Sequence, residues 1–532
     1  MTMSFFQRLN GILKKKTAMR RPSPVLPKNA LTDSGSEPSA AIGDRLSWFQ
    51  LRLVHSSDVV IHEFVAGPQI KCALLYIKGM VDRHTLQKVL KELVSLDKTM
   101  DSVSFSSLIF ERSQLPLDDT SIFRSVPEAL TAILSGQALL LVDRDENMLA
   151  LSVTSFDKRA IEEAPNEIVI RGPREAFIED YEDNLTLIRR KLKTANFKSE
   201  TMQIGTESKT TIAIAYMQGI CKQELIDEVR KRLSDIEIDG VWSTNYIEEF
   251  IEDNPYSPFP QIQYTERPDV VAASLLEGRV AVIVDGAPNV LLAPVTFFML
   301  MQSAEDYYDR FIPATGIRWV RFTFLFVSLL LPSIYIALTT IHPEIIPDKL
   351  LKTIAASREI VPFPALVEAF IMEILFEALR EASIRIPKSM GQAVSIIGAL
   401  IIGTAAVEAG IVSSVMVIIV SLTGISSFII PHFDLGLSFR LLRFPIMFLA
   451  GTFGLFGIAC GLILIYLHMV ELRSFGTPYL SPLAPLRFGE LKDVLFRAPL
   501  WSMKSRPGNG PNRRRVPAAT RKWAQVKNEE GD

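Results

Sequence analysis

Two hydrophobic patterns divide the chain. Up to about residue 300, apolar positions come as short strand-like runs and helical periods; between 319 and 468 they form long blocks with few charges. The first region contains a repeat. KCALLYIKGMVDRHTLQKVLKEL (71–93) matches KTTIAIAYMQGICKQELIDEVRKRL (209–233), with Tyr76 and Gly79 answering Tyr216 and Gly219. Each copy predicts a strand, a glycine turn and a helix whose apolar residues recur at helical spacing: Leu86, Val89, Leu90 and Leu93 in one, Leu225, Ile226, Val229 and Leu233 in the other. Further on, 127–156 answers 268–298, and Gly136, Asp143, Thr154 and Phe156 fall 142 residues before Gly278, Asp285, Thr296 and Phe298. The pattern predicts two tandem lobes, 44–165 and 166–300, each strand–helix–helix–strand–turn–strand. A cleft between two such lobes is a usual ligand site, although duplication of a packing unit explains the repeat equally well.

The blocks at 319–341, 363–386, 391–409, 411–430 and 444–467 each approach the ~20 apolar residues that cross ~30 Å of hydrocarbon. The fold class expected is therefore an α/β soluble domain of two repeated lobes, followed at 301–470 by an all-α multi-span transmembrane domain. Trp319 marks the rim of the first block, after Arg310 and Arg318. The absence of a secretory signal and the basic chain ends put both termini inside, which requires an even number of crossings. Five blocks therefore leave one to be re-entrant or interfacial, with 363–386 the favoured candidate, or else Val290–Met301 adds a sixth. With 363–386 withdrawn, Arg440 and Arg443 fall on the wrong face. Gly451, Gly454, Gly457 and Gly461 recur every three or four residues, and in this context they serve close helix packing rather than phosphate binding.

Composition sharpens this picture. The 532 residues are 48% hydrophobic, and the formal net charge of −2 hides an uneven distribution. Residues 1–43 carry +5 and 471–532 carry +6, leaving −13 for the middle. Basic ends on a membrane protein fit anionic lipid better than nucleic acid, for which no motif is present. Met1–Lys16 reads as a short basic amphipathic segment, 17–43 as a Pro/Ser-rich linker and 471–532 as a basic tail. Cys72, Cys221 and Cys460 have neither disulfide-framework nor zinc-site spacing, so the soluble part belongs in a reducing compartment.

Candidate chemistry is concentrated in one helix. At 100° per residue, Glu373, Glu377, Arg380 and Glu381 share a stripe of about 100° on 363–386, while Glu368 falls on another face. Charges at bilayer depth cost about 2.5–3.5 kcal/mol each, so the stripe should face water or protein. It either lines a cation pathway or forms the polar side of an interfacial helix. Glu408 reads as a turn residue beside Gly410, and Asp143, Asp145 and Asn147 as a hairpin turn, since Met148 replaces the glycine of a calcium loop. There is no Walker A sequence, GxSxG or paired-histidine motif, so no enzyme, metal or cofactor is expected.

Four stretches look like the signature blocks of the A subunit of GerA-type spore germination receptors: NPYSPFPQIQYTERPDVVAASLLEGRVAVIVDGAPNVLLAP (254–294), PFPALVEAFIMEILFEALREASIRIPKSMGQAVSIIGALIIGTAAVEAGIVS (362–413), FRLLRFPIMFLAGTFGLFGI (439–458) and LRSFGTPYLSPLAP (472–485). The resemblance covers roughly 44–500. It implies a multi-pass protein of the spore inner membrane that works with a permease-like B subunit and a lipoprotein C subunit to sense nutrients. It further implies a homo-oligomer forming a germinant-gated cation channel, with a two-part soluble domain that the charge pattern assigns to the spore core. Glu373, Glu377, Arg380, Glu381 and Gln392 then occupy the family's polar intramembrane positions and become pore or gate candidates. Pro362, Pro364 and Pro387 become hinge candidates at the ends of that helix. A structural scaffold and a secondary transporter are the alternatives.

Overall fold

The computed structural model describes residues 37–67, 69–96, 102–110, 120–154, 164, 166–167, 169–385, 403–503, 505–507, 510–511 and 515. The first lobe contains α1 (Ile42–Arg52), β1 (Val59–Ala66), β2 (Ile70–Ile77), α2 (Arg83–Ser95), α3 (Ser102–Phe110), β3 (Thr120–Phe123), α4 (Val126–Leu134), β4 (Ala138–Val142) and β5 (Met148–Leu151). Its sheet is antiparallel, in the order β1-β2-β4-β5-β3. Every residue of β4 and β5 is buried, because helices cover both faces. Phe49, Leu130 and Ile133 of α1 and α4 pack on one side. Leu86, Val89 and Phe105 of α2 and α3 pack on the other.

The second lobe repeats this plan with α5 (Tyr181–Lys191), β6 (Phe197–Ile204), β7 (Thr210–Met217), α6 (Gln223–Ser234), α7 (Thr244–Ile251), β8 (Gln263–Thr265), α8 (Pro268–Leu276), β9 (Val280–Val284) and β10 (Val290–Ala293). Its strand order, β6-β7-β9-β10-β8, is that of the first sheet. The helical periods at 86–93 and 225–233 are the buried faces of α2 and α6. Each lobe also has a leading strand, β1 or β6, outside the two matched stretches. Val290–Met301 adds no sixth membrane segment: its first third is β10, paired with β9 and β8, and α9 (Phe297–Leu300) follows.

Among the described residues, a buried ion pair fastens the lobes, with the more exposed Lys78 and Arg83 of the first lobe pairing with Glu182 of the second. Arg189 on α5 is fully buried and donates from Nε and Nη2 to Asp58 of the first lobe at 2.8 and 2.7 Å. Its Nη1 donates to the Phe197 carbonyl at 3.1 Å. Backbone bonds Ser57 N to Ser199 O and Ser199 N to His55 O, both 2.9 Å, run alongside.

Beyond α9 (Phe297–Leu300) and α10 (Glu305–Tyr308), the chain is helical: α11 (Phe311–Thr340), α12 (Asp348–Arg358), α13 (Ala365–Arg385), α14 (Ser414–Ser427) and α15 (Phe433–Glu471). Among the described residues, α11 and α15 are long and apolar enough to cross a membrane. Large side chains such as Phe448, Phe456, Ile463 and Leu464 face outward on α15, an apolar surface of the kind that faces lipid or a partner. α15 is not straight. Gly454 has φ 63° and ψ −141°, which breaks the helix in two. Gly457 lies against the Leu449 backbone and Gly461 against Leu449 and Ile446. Phe259 meets Phe439 from one limb and His468 from the other. A straight helix would hold these pairs far apart at ~1.5 Å per residue, so 433–453 and 455–471 form an antiparallel hairpin. The expected single block at 444–467 is therefore corrected to the middle of two limbs, and Gly454 is the bend rather than a packing glycine. A side chain there would also collide with His342.

The residues after 471 are not simply a tail. β11 (Arg473–Ser474) pairs with β12 (Thr477–Pro478), and Ser474 Oγ donates to the Gln261 carbonyl at 2.6 Å while accepting from Val295 N at 3.0 Å. Tyr479, Leu480 and Val494 are buried against the helical core.

Replacing Arg189 with Met leaves the Asp58 carboxylate buried without its partner, which typically destabilises by about 3–5 kcal/mol. The expected result is a clear drop in the thermal midpoint of the purified full chain, partly recovered in Arg189→Met/Asp58→Leu; an unchanged midpoint in the single variant rejects the assigned role.

Candidate functional site

Helix α13 presents Glu368, Glu373 and Glu377 to the interior of the helical bundle. It begins immediately after Pro364, whose carbonyl accepts from Glu368 N at 3.0 Å. Glu368 and Glu373 are fully buried. Glu368 Oε1 accepts from Ser413 N and Oγ at 2.6 and 2.5 Å, and Arg358 lies 3.6 Å from its other oxygen. Glu373 is paired with the buried Arg443, whose Nε donates to the Ser328 carbonyl of α11 at 2.8 Å. One turn on, Glu377 lies between Arg380 at 3.4 Å and Arg440 at 3.5 Å. Arg380 also donates to Ser427 Oγ at 2.7 Å and stacks on Phe428. Glu381 lies on the outer end of the helix, exposed, and pairs with Arg385 at 2.6 Å.

The stripe is therefore a ladder of ion pairs. Neutralising each acid within the bundle removes the need for bulk water that an unpaired charge at this depth would have. Sequence reasoning found the acids but not their partners. Arg440 and Arg443 stood out as misplaced positive charges, and that was the available signal: two cations three residues apart facing two acids four residues apart.

Of the packing glycines, Gly451 approaches Leu366 of α13, while Gly457 and Gly461 line the hairpin's inner face. Glu408 is exposed in the last helical turn before Gly410, which has φ 65°. Pro387 and Gln392 lie outside the described residues. Pro362 and Pro364 lie in the connection leading into α13.

A second charged centre joins the lobes to the helices. Asp306, 3% exposed, accepts from Arg318 Nε at 2.9 Å and from Arg321 Nη1 and Nη2 at 3.0 and 3.1 Å. Arg318 Nη1 also donates to Asp493 through its carbonyl at 2.6 Å and its carboxylate at 3.1 Å. Tyr307 donates to the same carboxylate at 2.7 Å, and Arg497 Nε to the Asp306 carbonyl at 3.1 Å. Trp319, expected at the rim, donates from Nε1 to the Leu495 carbonyl at 2.9 Å.

Two features of the second lobe accompany this centre. A cavity of about 620 Å³ lies between α6, the start of β9 and the 475–494 segment, rather than between the lobes. On α7, burial together with Glu252, Asp434 and Glu249 raises the Glu248 carboxyl to about 8.

The family model described as Bacillus/Clostridium GerA spore germination protein matches residues 47–509. The chain belongs to this family. It is 46% identical over 485 residues to the uncharacterized membrane protein YfkQ of Bacillus subtilis (strain 168), covering 90% of this chain and 93% of the relative. It is 44% identical over 488 residues to spore germination protein KA of the same organism, covering 90% of each. The crystal structure of the N-terminal domain of the A subunit of the Bacillus megaterium spore germinant receptor GerK3 is 32% identical, spans 49% of this chain and 98% of that domain, and superposes with a TM-score of 0.40.

Two predictions follow from the charges of this GerA-family chain. Arg443→Gln strands the buried Glu373 and is expected to reduce the yield of monodisperse protein in detergent, whereas Arg443→Gln/Glu373→Gln restores much of it; equal yields from both variants argue against the pair. The raised Glu248 pKa means that the folded chain binds more protons than the unfolded one between about 4.3 and about 8, so its contribution to stability falls as pH rises through that window. Glu248→Gln is expected to flatten the pH dependence of the melting midpoint over this range, and superimposable profiles would exclude it as the titrating group.

Proposed function

We propose that the chain is the A subunit of a nutrient germinant receptor in the spore inner membrane. In this reading it oligomerises into a germinant-gated cation channel and acts, without enzymatic chemistry, alongside a permease-like B subunit and a lipoprotein C subunit. The observation that carries the reading is the family match across 47–509, with high identity to a named spore germination protein along nearly the whole length.

The bundle supports six crossings with both chain ends on one side. α11 starts at the Asp306 centre and ends at Ile341, beside the Gly454 bend. α13 runs back: Leu366 lies by Gly451, Glu373 by Arg443, and Arg380 by Ser427. α14 begins at Ser413, level with Glu368, and ends at Ser427, level with Arg380. The apolar block at 391–409, most of which lies outside the described residues, is counted from its sequence as the crossing between them, and the two limbs of α15 supply the last pair. This count is even, as the basic chain ends require, and needs no re-entrant helix at 363–386. Arg440 and Arg443 then serve as counter-ions for α13.

Within this reading Glu377 is the acid best suited to a conduction path, because it is partly exposed and holds its two arginines at 3.4 and 3.5 Å, whereas Glu373 is fully buried. Glu377→Gln is expected to alter the rate or selectivity of germinant-triggered potassium release from spores by severalfold while leaving receptor abundance unchanged. Unaltered release would favour the scaffold reading, to which the neutralised Glu373 lends support.

A further inference from the structure

The cavity in the second lobe differs from the matching region of the first lobe in the charged residues of its wall. Arg279, which lines it, is 5% exposed. Its Nε donates to the Pro294 carbonyl at 2.9 Å, Nη1 to Ser274 Oγ at 3.1 Å and Nη2 weakly to the Leu292 carbonyl at 3.5 Å. All three acceptors are neutral oxygens. Glu277, two residues away, is bound instead to Arg515 at 2.9 Å. Burial lowers the Arg279 pKa to about 10, still far enough above neutrality to keep the guanidinium charged. Glu277 acts on this cation through space, but the guanidinium's hydrogen bonds all go to neutral groups, so an anion that reaches it is favoured.

The repeat supplies an internal control. The residue 142 positions before Arg279 is Gln137, whose amide Nε2 reaches Ser152 Oγ at 3.3 Å. Ser152 stands where the second lobe has Pro294, so a neutral amide is enough to tie these strand ends together. The second difference lies at the start of α6. In the first lobe Asp82 caps α2 by accepting from His84 N at 2.9 Å. Its counterpart Lys222 makes no side-chain cap, and the open N-terminus of α6 also lines the cavity. Both exchanges add positive charge at the same wall, where free helix N–H groups favour anions, while Glu224 and Glu277 stand there in place of His84 and Ser135. The cavity's acids are largely engaged within the chain. Arg232 holds Glu228 and Asp253 at 2.8 and 2.6 Å, and Arg318 holds Asp493. Phe298, Met299 and Val494 give the space an apolar side.

We propose that this cavity is a binding site for a soluble organic anion, a carboxylate or phosphate monoester with a small apolar body, whose charged end meets Arg279, Lys222 and the N-terminus of α6. Its volume of about 620 Å³ falls within the range of small-molecule pockets. The far wall includes Tyr307 and Asp493, both bonded into the Asp306 centre at the base of α11. An occupant therefore touches the junction between the lobes and the first long helix. This assignment rests on the lobe itself and is independent of the channel reading.

The test is calorimetric titration of the full chain in neutral detergent with benzoate, phenyl phosphate and inorganic phosphate, at constant ionic strength against chloride. The expected result is saturable binding of at least one organic anion, tighter than inorganic phosphate. Arg279→Gln, which copies the first lobe, should weaken it at least ~10-fold with an unchanged melting curve in the absence of anion, as expected for loss of a charge-assisted contact. Lys222→Asp, which recreates the cap and adds no buried group, should weaken it independently. Saturable binding that both variants retain at full affinity, or no saturable binding by any of the probes, overturns the proposal. Binding seen only in nanodiscs containing phosphatidylglycerol, and lost in phosphatidylcholine, overturns the soluble-ligand assignment in favour of a lipid headgroup.

Discussion

Asp306 accepts hydrogen bonds from two arginines of α11 while its own backbone carbonyl accepts from Arg497. That single buried carboxylate sets where the soluble lobes stop and the helices begin. Without a counter-charge, Arg318 and Arg321 could not be buried at the first turns of a long apolar helix. With it, α11 starts against the second lobe and the 491–497 segment is drawn back across the same junction through Asp493. Everything downstream inherits this placement: the far end of α11 receives the bend of α15, and α13 packs into the space between them.

The same principle recurs deeper in the bundle. Glu373 with Arg443, and Glu377 with Arg440, pair charges from different helices, while Arg380 joins Glu377 from α13 itself. These pairs add directional contacts between helices that are otherwise alike in their apolar composition. Apolar packing alone leaves helix register weakly determined, whereas two acids and two arginines at fixed spacing admit few alignments. The ladder is thus a means of specifying one bundle among several, and any conduction role for Glu377 is built on that framework.

The two lobes show what duplication keeps and what it releases. Strand order, helix placement and the fully buried central strands are common to both, because each sheet needs helices over both faces. Positions on the wall of the cavity have diverged: Lys222 answers Asp82, and the buried Arg279 answers Gln137. The fold tolerates both members of each pair.

Much of this was legible in the amino-acid sequence. The repeat, the helical periods of α2 and α6, the apolar blocks and the family blocks all depend on residues close in sequence, where side-chain spacing maps directly onto a strand or helix face. Non-local relations were not legible. The apolar period runs through Gly454 without a break, so only the backbone at that residue shows that one block is two antiparallel limbs. The stripe on α13 identified its acids, but their neutralisation by Arg440 and Arg443 depends on how the hairpin packs. The basic composition after 471 suggested a tail, whereas Tyr479 and Asp493 are fixed by partners nearly two hundred residues earlier in the chain. Local pattern determined the elements; which charges meet, and where a cavity remains, was decided only by their tertiary packing, because ion-pair partners and cavity walls are drawn from segments whose separation in sequence carries no periodic signal.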